Sequence, residues 1–387
     1  MTYLMDTLKF VDRTFVTGEG SWLIDDKGER CLDFYADVGT ASLGYNSSYQ
    51  REVMLKMMHG NIPVHTPMVF KNITRENAAS DLCKLTDMER VFFCNSGAEA
   101  VEAAIKCARL TQYKEGAPNR VDIYGVRNGF HGRTLATLAL GDGPSYHHTG
   151  FGPLPSGFKH FDPSGPLEQI RPDAAAVCLA PVFGNNDVKL YEDHWLKRLE
   201  MYCRQHDILL IFDEVQSGSG RTGFAATYAQ RIGAKPDIIT LGKGVAMGAS
   251  CGAMLARGRC SMAFTPGSHF STFGGQPLAS SFVSGMVQYL TKANMHAIET
   301  KGNYMMHALR MYKWASDVRG VGMLVAFDLK DVDKLEFAQA ALNRNLLLGL
   351  FRSGPGPVKI TPPLNSSIEE IDWGIARLNE AYDDCQR

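Results

Sequence analysis

The middle of this chain alternates short apolar runs with amphipathic ones, and no other feature restricts the fold as much. Six runs read as strands: "RVFFC" (90–94), "VDIYGV" (121–126), "AAAVCLA" (174–180), "ILLIF" (208–212), "DIITL" (237–241) and "CGAMLA" (251–256). Between several of them lie stretches of helical spacing, such as Ser96 to Lys114 and His194 to Gln205. Strands joined through helices of that length predict an α/β fold with a mostly parallel central sheet, covered by helices on both faces. Ligands bind such sheets at the carboxyl ends of the strands, so the residues leaving each strand carry the candidate chemistry.

Near residue 275 the character changes. A long helical stretch (about 277–314) leads to "DVRGVGMLVAFDL", a helix near 332–344, then "LLLGLF" and "VKITPPL". A last helix begins at "SSIEEID", where Ser366 and Glu369 fit a capping box. A chain of 387 residues is long for one domain. The expected division is a large domain over 49–275, a smaller α+β domain over 276–387, and an N-terminal segment, 1–48, packing with the small one.

Forty basic against 41 acidic side chains leave a net charge of −1, which points to neither nucleic acid nor an anionic membrane as partner. No apolar run reaches the roughly 18 residues of a membrane span. The nine cysteines contain no C-x-x-C pair, so free thiols in a reducing, cytoplasmic setting are expected.

Three glycines, Gly218, Gly220 and Gly223, have the G-x-G-x-x-G spacing of a dinucleotide turn. In that fold the turn follows its strand directly, because the pyrophosphate must reach the helix N-terminus. Here Asp213 to Ser217 intervene and two of them are acidic, which disfavours a pyrophosphate. Three other strand ends fit together better. Ser96, Gly97 and Ala98 open a helix whose first N–H groups can take a phosphate. Asp213 can face a pyridinium nitrogen. Lys243, in "GKG" after "DIITL", can form a Schiff base with an aldehyde cofactor. Phosphate cradle, acid and amine on successive strand ends describe a pyridoxal 5'-phosphate site. "GKG" lacks the upstream glycine and trailing Ser or Thr of a nucleotide-triphosphate loop, and His147 and His148 have no metal-ligand spacing.

With these residues in view, nearly the whole chain resembles the class III pyridoxal-phosphate-dependent aminotransferases of fold type I, most of all acetylornithine and ornithine aminotransferases. The motifs run from "GEGSWLIDDKGERCLDF" through "FFCNSGAEAVEAAIKCAR", "NGFHGRTLATLALG", "LLIFDEVQSGSGRTG", "PDIITLGKG" and "STFGGQPLAS" to "PPLNSSIEEID". The resemblance implies Lys243 as the Schiff-base lysine and Asp213 as partner of the ring nitrogen. Ser96, Gly97 and Ala98 would hold the phosphate. Val215 and Phe130 would lie against the two ring faces, Gln216 near the ring hydroxyl, and His131 beside them as a hydrogen-bonding neighbour. Thr272 would reach the phosphate of a neighbouring subunit, which implies a homodimer with shared sites. Arg133 would bind a substrate carboxylate, and the small-molecule partners would be an amino donor and a 2-oxo acid.

Three departures bear on the substrate. The family's Glu-Pro-x-Gln-Gly-Glu is "APVFGNN" here, with Ala180, Phe183 and Asn185. Its Arg before the second Pro of "PPL" is Lys359, and its His-Asn-His-Pro is "YNSS", Tyr45 to Ser48. A lysine cannot offer a carboxylate the planar fork of an arginine. The expected reaction is transamination with an altered substrate pair, the donor being an ω-amine like ornithine, acetylornithine or diaminobutyrate. An aminomutase or epimerase on the same scaffold is the alternative reaction, and a non-catalytic homologue the alternative of another class.

Overall fold

The strand Leu209–Asp213 runs through the middle of a seven-stranded sheet. The order is Arg90–Cys94, Gly252–Ala256, Ile238–Leu241, Leu209–Asp213, Ala176–Leu179, Ile123–Val126 and Phe158–Phe161. Only Gly252–Ala256 is antiparallel to its neighbours; the other pairings are parallel. The computed structural model describes residues 3–5, 7, 11–183, 188–349 and 357–387. Six of the strands are those expected from the apolar runs. The seventh, "FKHF", was not read from the sequence because Lys159 and His160 interrupt its apolar character and it lies at the sheet edge.

Alternation along each strand sends neighbours to opposite faces. Leu209 and Ile211 pack with Val101, Ala104 and Ala108 of the helix Gly97–Lys114. Leu210 and Phe212 pack instead with Leu196, Leu199 and Cys203 of the helix Asp193–Gln205. Both faces are therefore covered, and these strands read as unbroken apolar runs for that reason. Each fully buried side chain of this size contributes about 1.5–3 kcal/mol relative to exposure.

The remaining strands form smaller sheets. Phe15–Glu19, Trp22–Asp25 and Arg30–Asp33 make an antiparallel meander, whose third strand pairs in parallel with Leu346–Leu347. Ala315–Val321, Leu324–Leu329 and Val358–Ile360 form a three-stranded antiparallel sheet. The long helical stretch is two helices, Pro277–Lys292 and Met295–Arg310, separated at Asn294, whose side chain caps the second. The last helix starts one residue later than expected. Its capping box is Ser367 with Glu370, with Ser367 Oγ accepting from Glu370 N at 3.1 Å and Glu370 Oε2 from Ser367 N at 2.9 Å. Ser366 instead pairs with Ser21 Oγ at 2.8 Å, and Glu370 also accepts from Trp22 Nε1 at 2.8 Å. The N-terminal meander decides between two registers that "SSIEE" allows equally.

Among the described residues no helix is long and apolar enough to cross a membrane, and no three His, Cys, Asp or Glu side chains gather as metal ligands. The nine cysteines are all free.

Gly374 of the last helix lies against the ring of Phe34, a side chain with no exposure. A Cβ there would collide with Phe34 Cζ, and a buried ring has little room to yield. Gly374→Ala is therefore expected to lose about 1–3 kcal/mol of stability despite its better helix propensity, as overpacked cores do. A lowered urea midpoint would show it; an unchanged or raised midpoint would contradict the tight contact.

Candidate active site

Asp213 ends its strand with a carboxylate only 6% exposed. Three donors hold it. Thr240 Oγ1 and Val215 N reach Oδ1 at 3.0 and 3.2 Å, and His131 Nδ1 lies 2.7 Å from Oδ2. Each donor comes from a different segment, so the carboxylate binds the next strand, its own loop and the "GFHGRT" loop together. A buried carboxylate needs such company, since desolvation without it is costly. Its neighbour Glu214 has a structural task. Glu214 accepts from Ser217 Oγ, Tyr228 N and Ala229 N at 2.6, 2.9 and 2.7 Å and so anchors the helix Tyr228–Ile232; burial pushes its carboxyl up to about 7.

Lys243 leaves the adjacent strand in a left-handed conformation, φ 48°, and begins a 3-10 turn that ends at Ala246. Burial pushes its amine down to about 8, against the pull of the Asp213 and Asp37 carboxylates. A substantial neutral fraction thus exists near physiological pH. Three backbones meet beside it. A Cβ on Gly97 would stand 2.6 Å from Val215 Cγ1, and one on Gly242 would stand 3.0 Å from Gly97 Cα. Only glycines permit the helix at Gly97, the Asp213 loop and the Lys243 turn to approach so closely. Ser96 caps that helix by accepting from Glu99 N at 3.2 Å, and Glu99 reaches back to Asn95 N at 2.9 Å, one residue short of a reciprocal box. The first residues of the helix, Gly97 and Ala98, lie at this junction. Gly132, φ 137°, closes the other side, since a Cβ there would meet Ala98 Cβ at 2.7 Å.

Ser96, Gly97, Ala98, Phe130, Val215, Gln216, Lys243 and Lys359 are all partly exposed in a region of buried neighbours. Phe130 and Arg133 follow from the same loop. Arg133 Nη2 donates to His147 Nε2 at 3.0 Å, its guanidinium lies 5.6 Å from the Phe130 ring centroid, and His147 meets Phe130 edge-on. Lys359 lies on the strand Val358–Ile360; burial and the nearby charge of Lys243 push its amine well down. Thr272 is exposed and stands apart from this group, although the hydroxyl of its neighbour Ser271 lies 3.4 Å from Asn95 Nδ2. Ala180 is partly exposed, whereas Asn185 lies outside the described residues. "YNSS" serves locally: Tyr45 Oη donates to Asp33 at 2.6 Å, and Ser47 caps the helix Ser48–His59.

The glycines of the apparent dinucleotide motif have packing reasons. A Cβ on Gly218 would strike Leu241, on Gly220 Leu290, and on Gly223 the Glu299 segment. Between them sits Arg221, 3% exposed, donating to the carbonyls of Met323 and Pro362 at 3.1 and 2.5 Å, with burial pushing it down to about 10. The sequence reading did not single out Arg221, nor the segment it supports. Ala36, Asp37 and Val38 are three consecutive left-handed residues, φ 44°, 45° and 58°. Asp tolerates that conformation; Ala and the β-branched Val do so at roughly 1–2 kcal/mol each. Buried Asp33 holds the turn by accepting from Tyr35 N and Ala36 N, both at 2.7 Å. A short apolar stretch with no glycine at 36–38 carries no sequence signal for such a turn.

The profile of the family described as "Aminotransferase class-III" matches residues 9–382. An acetylornithine aminotransferase of Streptococcus mutans is 35% identical over 99% of both chains. That of Aquifex aeolicus is 35% identical over 98% of this chain and 100% of its own. Among solved structures, the ornithine aminotransferase of Toxoplasma gondii ME49 superposes with a TM-score of 0.92 at 26% identity, covering 99% of this chain and 93% of that one.

Since Asp213 holds the Lys243 proton in place, Asp213→Asn is expected to lower the Lys243 pKa further below about 8. The pH midpoint of Lys243 reaction with an amine-selective reagent in cofactor-free protein would report it. A midpoint that stays or rises would mean the two side chains are not electrostatically linked.

Proposed function

This chain belongs to the class-III aminotransferases, and on that premise we propose that it transfers an amino group from an ω-amino donor to a 2-oxo acid with pyridoxal 5'-phosphate held between Asp213 and Lys243. The observation that carries this reading is a buried, triply hydrogen-bonded carboxylate one strand away from an amine with a lowered pKa. The residues fit the cofactor. Glycines at 97 and 242 let the helix start, the Asp213 loop and the Lys243 turn close on one another, the helix start can offer N–H donors to a phosphate, and Asp213 supplies the one charge a pyridinium needs. Ser96, Gly97 and Ala98 would hold the phosphate, Val215 and Phe130 the ring faces, and Gln216 the ring hydroxyl, with His131 steadying Asp213 from behind.

When bound, the cofactor supplies an electron sink for negative charge at the substrate carbon. The chain does the rest. Asp213, held in place by its three donors, would favour a proton on a ring nitrogen facing it. Lys243 Nζ, neutral in part near pH 8, can take a proton and return it to a neighbouring carbon, the work of a general base and acid. Arg133 offers a bidentate fork to a substrate carboxylate, while Lys359 offers only a point charge. Thr272 lies between exposed apolar side chains, Phe270 (65%) and Phe273 (57%). Such a face supports a second copy of the chain covering it, with Thr272 reaching into the partner's site.

Purified protein with pyridoxal phosphate is expected to show a visible band of the lysine-bound cofactor that an amino donor converts. Lys243→Ala should lose the band and cut turnover by roughly 10³-fold or more; persistence of both would refute the assignment. Because Lys359 lacks the fork, Lys359→Arg should raise kcat/KM for glutamate by about tenfold. Unchanged glutamate kinetics would mean Lys359 does not decide carboxylate binding.

A further inference from the structure

The strained turn Ala36–Val38 does more than connect. Its flanks are bonded to both halves of the site. Ser42 Oγ donates to Gly244 O at 3.1 Å, and a Cβ on Gly244 would stand 3.4 Å from Gly39 O, which seats the turn on the Lys243 segment. On the other side Thr361, two residues beyond Lys359, donates through N to Phe34 O at 2.7 Å and through Oγ1 to Tyr35 O at 2.6 Å. Buried Asp33 fixes the entry and buried Arg221 lies 3.3 Å from where a Gly39 Cβ would be. A left-handed run of non-glycine residues persists only where its surroundings over-determine it, and such strain gathers at ligand sites.

The side chain that this turn presents is Asp37. It is exposed, and among the described residues its carboxylate makes no hydrogen bond or ion pair. Its charge nevertheless reaches the Lys243 amine, raising that amine's hold on its proton. Of the other charged groups around the turn, Arg221 is taken up by backbone carbonyls, burial pushes the amines of Lys243 and Lys359 down, and the carboxylates of Asp33 and Asp213 are buried and hydrogen-bonded. A monoamino dicarboxylate would find no use for an exposed anion here; a donor with two amino groups would.

We propose that Asp37 binds a second, unreacting ammonium of the amino donor, so that the site selects free diamino acids over donors whose other nitrogen is acylated or missing. This inference rests on the transaminase reading above and adds the chemistry of the donor. An ionic contact of this kind works mainly on binding, since the ammonium it holds does not change during the reaction.

Three probes separate the contributions: ornithine, N-acetylornithine and 5-aminopentanoate share the ω-amine and the carboxylate and differ only at the α-position. The protein reconstituted with cofactor is expected to prefer ornithine. Asp37→Asn keeps the tolerance for a left-handed backbone and removes only the charge. It should reduce the ornithine to N-acetylornithine preference in kcat/KM by about tenfold or more, through KM rather than kcat, with an unshifted melting temperature. Titration of ornithine into the cofactor's visible band should show the same loss in apparent Kd. A parent enzyme preferring N-acetylornithine, or a variant with an unchanged preference, overturns the proposal. So does a cofactor band that forms while none of the three donors reacts, and in that case the cofactor assignment itself survives. Absence of the band in the parent would remove the transaminase reading and this inference together.

Discussion

The Asp213 carboxylate is the contact on which the rest of the site depends. Desolvating a charge in the middle of a sheet is unfavourable unless several donors meet it, and here those donors come from three separate segments. Satisfying this one group therefore fixes the loop with His131, the strand with Thr240 and the start of the Asp213 loop relative to one another. Lys243 follows from the same arrangement. Its amine is neutral in part because burial outweighs the attraction of that carboxylate, and its proton is retained because the attraction remains. The pair is held in tension by position alone.

Close approach of backbones supplies the second constraint. Gly97, Gly242 and Gly132 each stand where a Cβ would meet another segment of the site. The helix start at Ser96 is thereby brought to the Asp213 and Lys243 loops, and the Phe130 loop is laid over it. The shape of the cleft is set by absent side chains as much as by present ones. Gly218, Gly220 and Gly223 obey the same physics for a different purpose, seating a buried loop around Arg221 rather than receiving a pyrophosphate.

The N-terminal segment joins the site through contacts that are remote in sequence. Asp33, Tyr45, Arg221, Ser42 and Thr361 together hold a turn whose backbone its own residues disfavour. The strained turn sits where Ser42 and Gly39 seat it on the Lys243 segment. Stability given up at Ala36 and Val38 is offset by burial in the large core that includes Phe34, Phe327 and Ile375.

The amino-acid sequence by itself determined the local and repetitive parts of this protein. Six of seven strands of the central sheet were legible because both faces are buried and the apolar runs are unbroken; "FKHF" was not, because an edge strand can carry Lys159 and His160. Ser96, Asp213 and Lys243 stood out in the sequence because each leaves a buried strand beside glycines or an acid, and the structure brings their three segments together. Tertiary structure alone decided what depends on partners distant in the chain. "SSIEE" could cap a helix at Ser366 or Ser367, and Ser21 and Trp22 chose by hydrogen-bonding Ser366 and Glu370. Arg221 resembles any loop arginine until the carbonyls of Met323 and Pro362 are seen around it. Asp37 has no periodicity, motif or glycine to mark it, since its conformation is imposed by residues up to the far end of the chain. Local propensity is written in neighbouring residues, whereas strain and the pairing of buried charges exist only once distant segments pack.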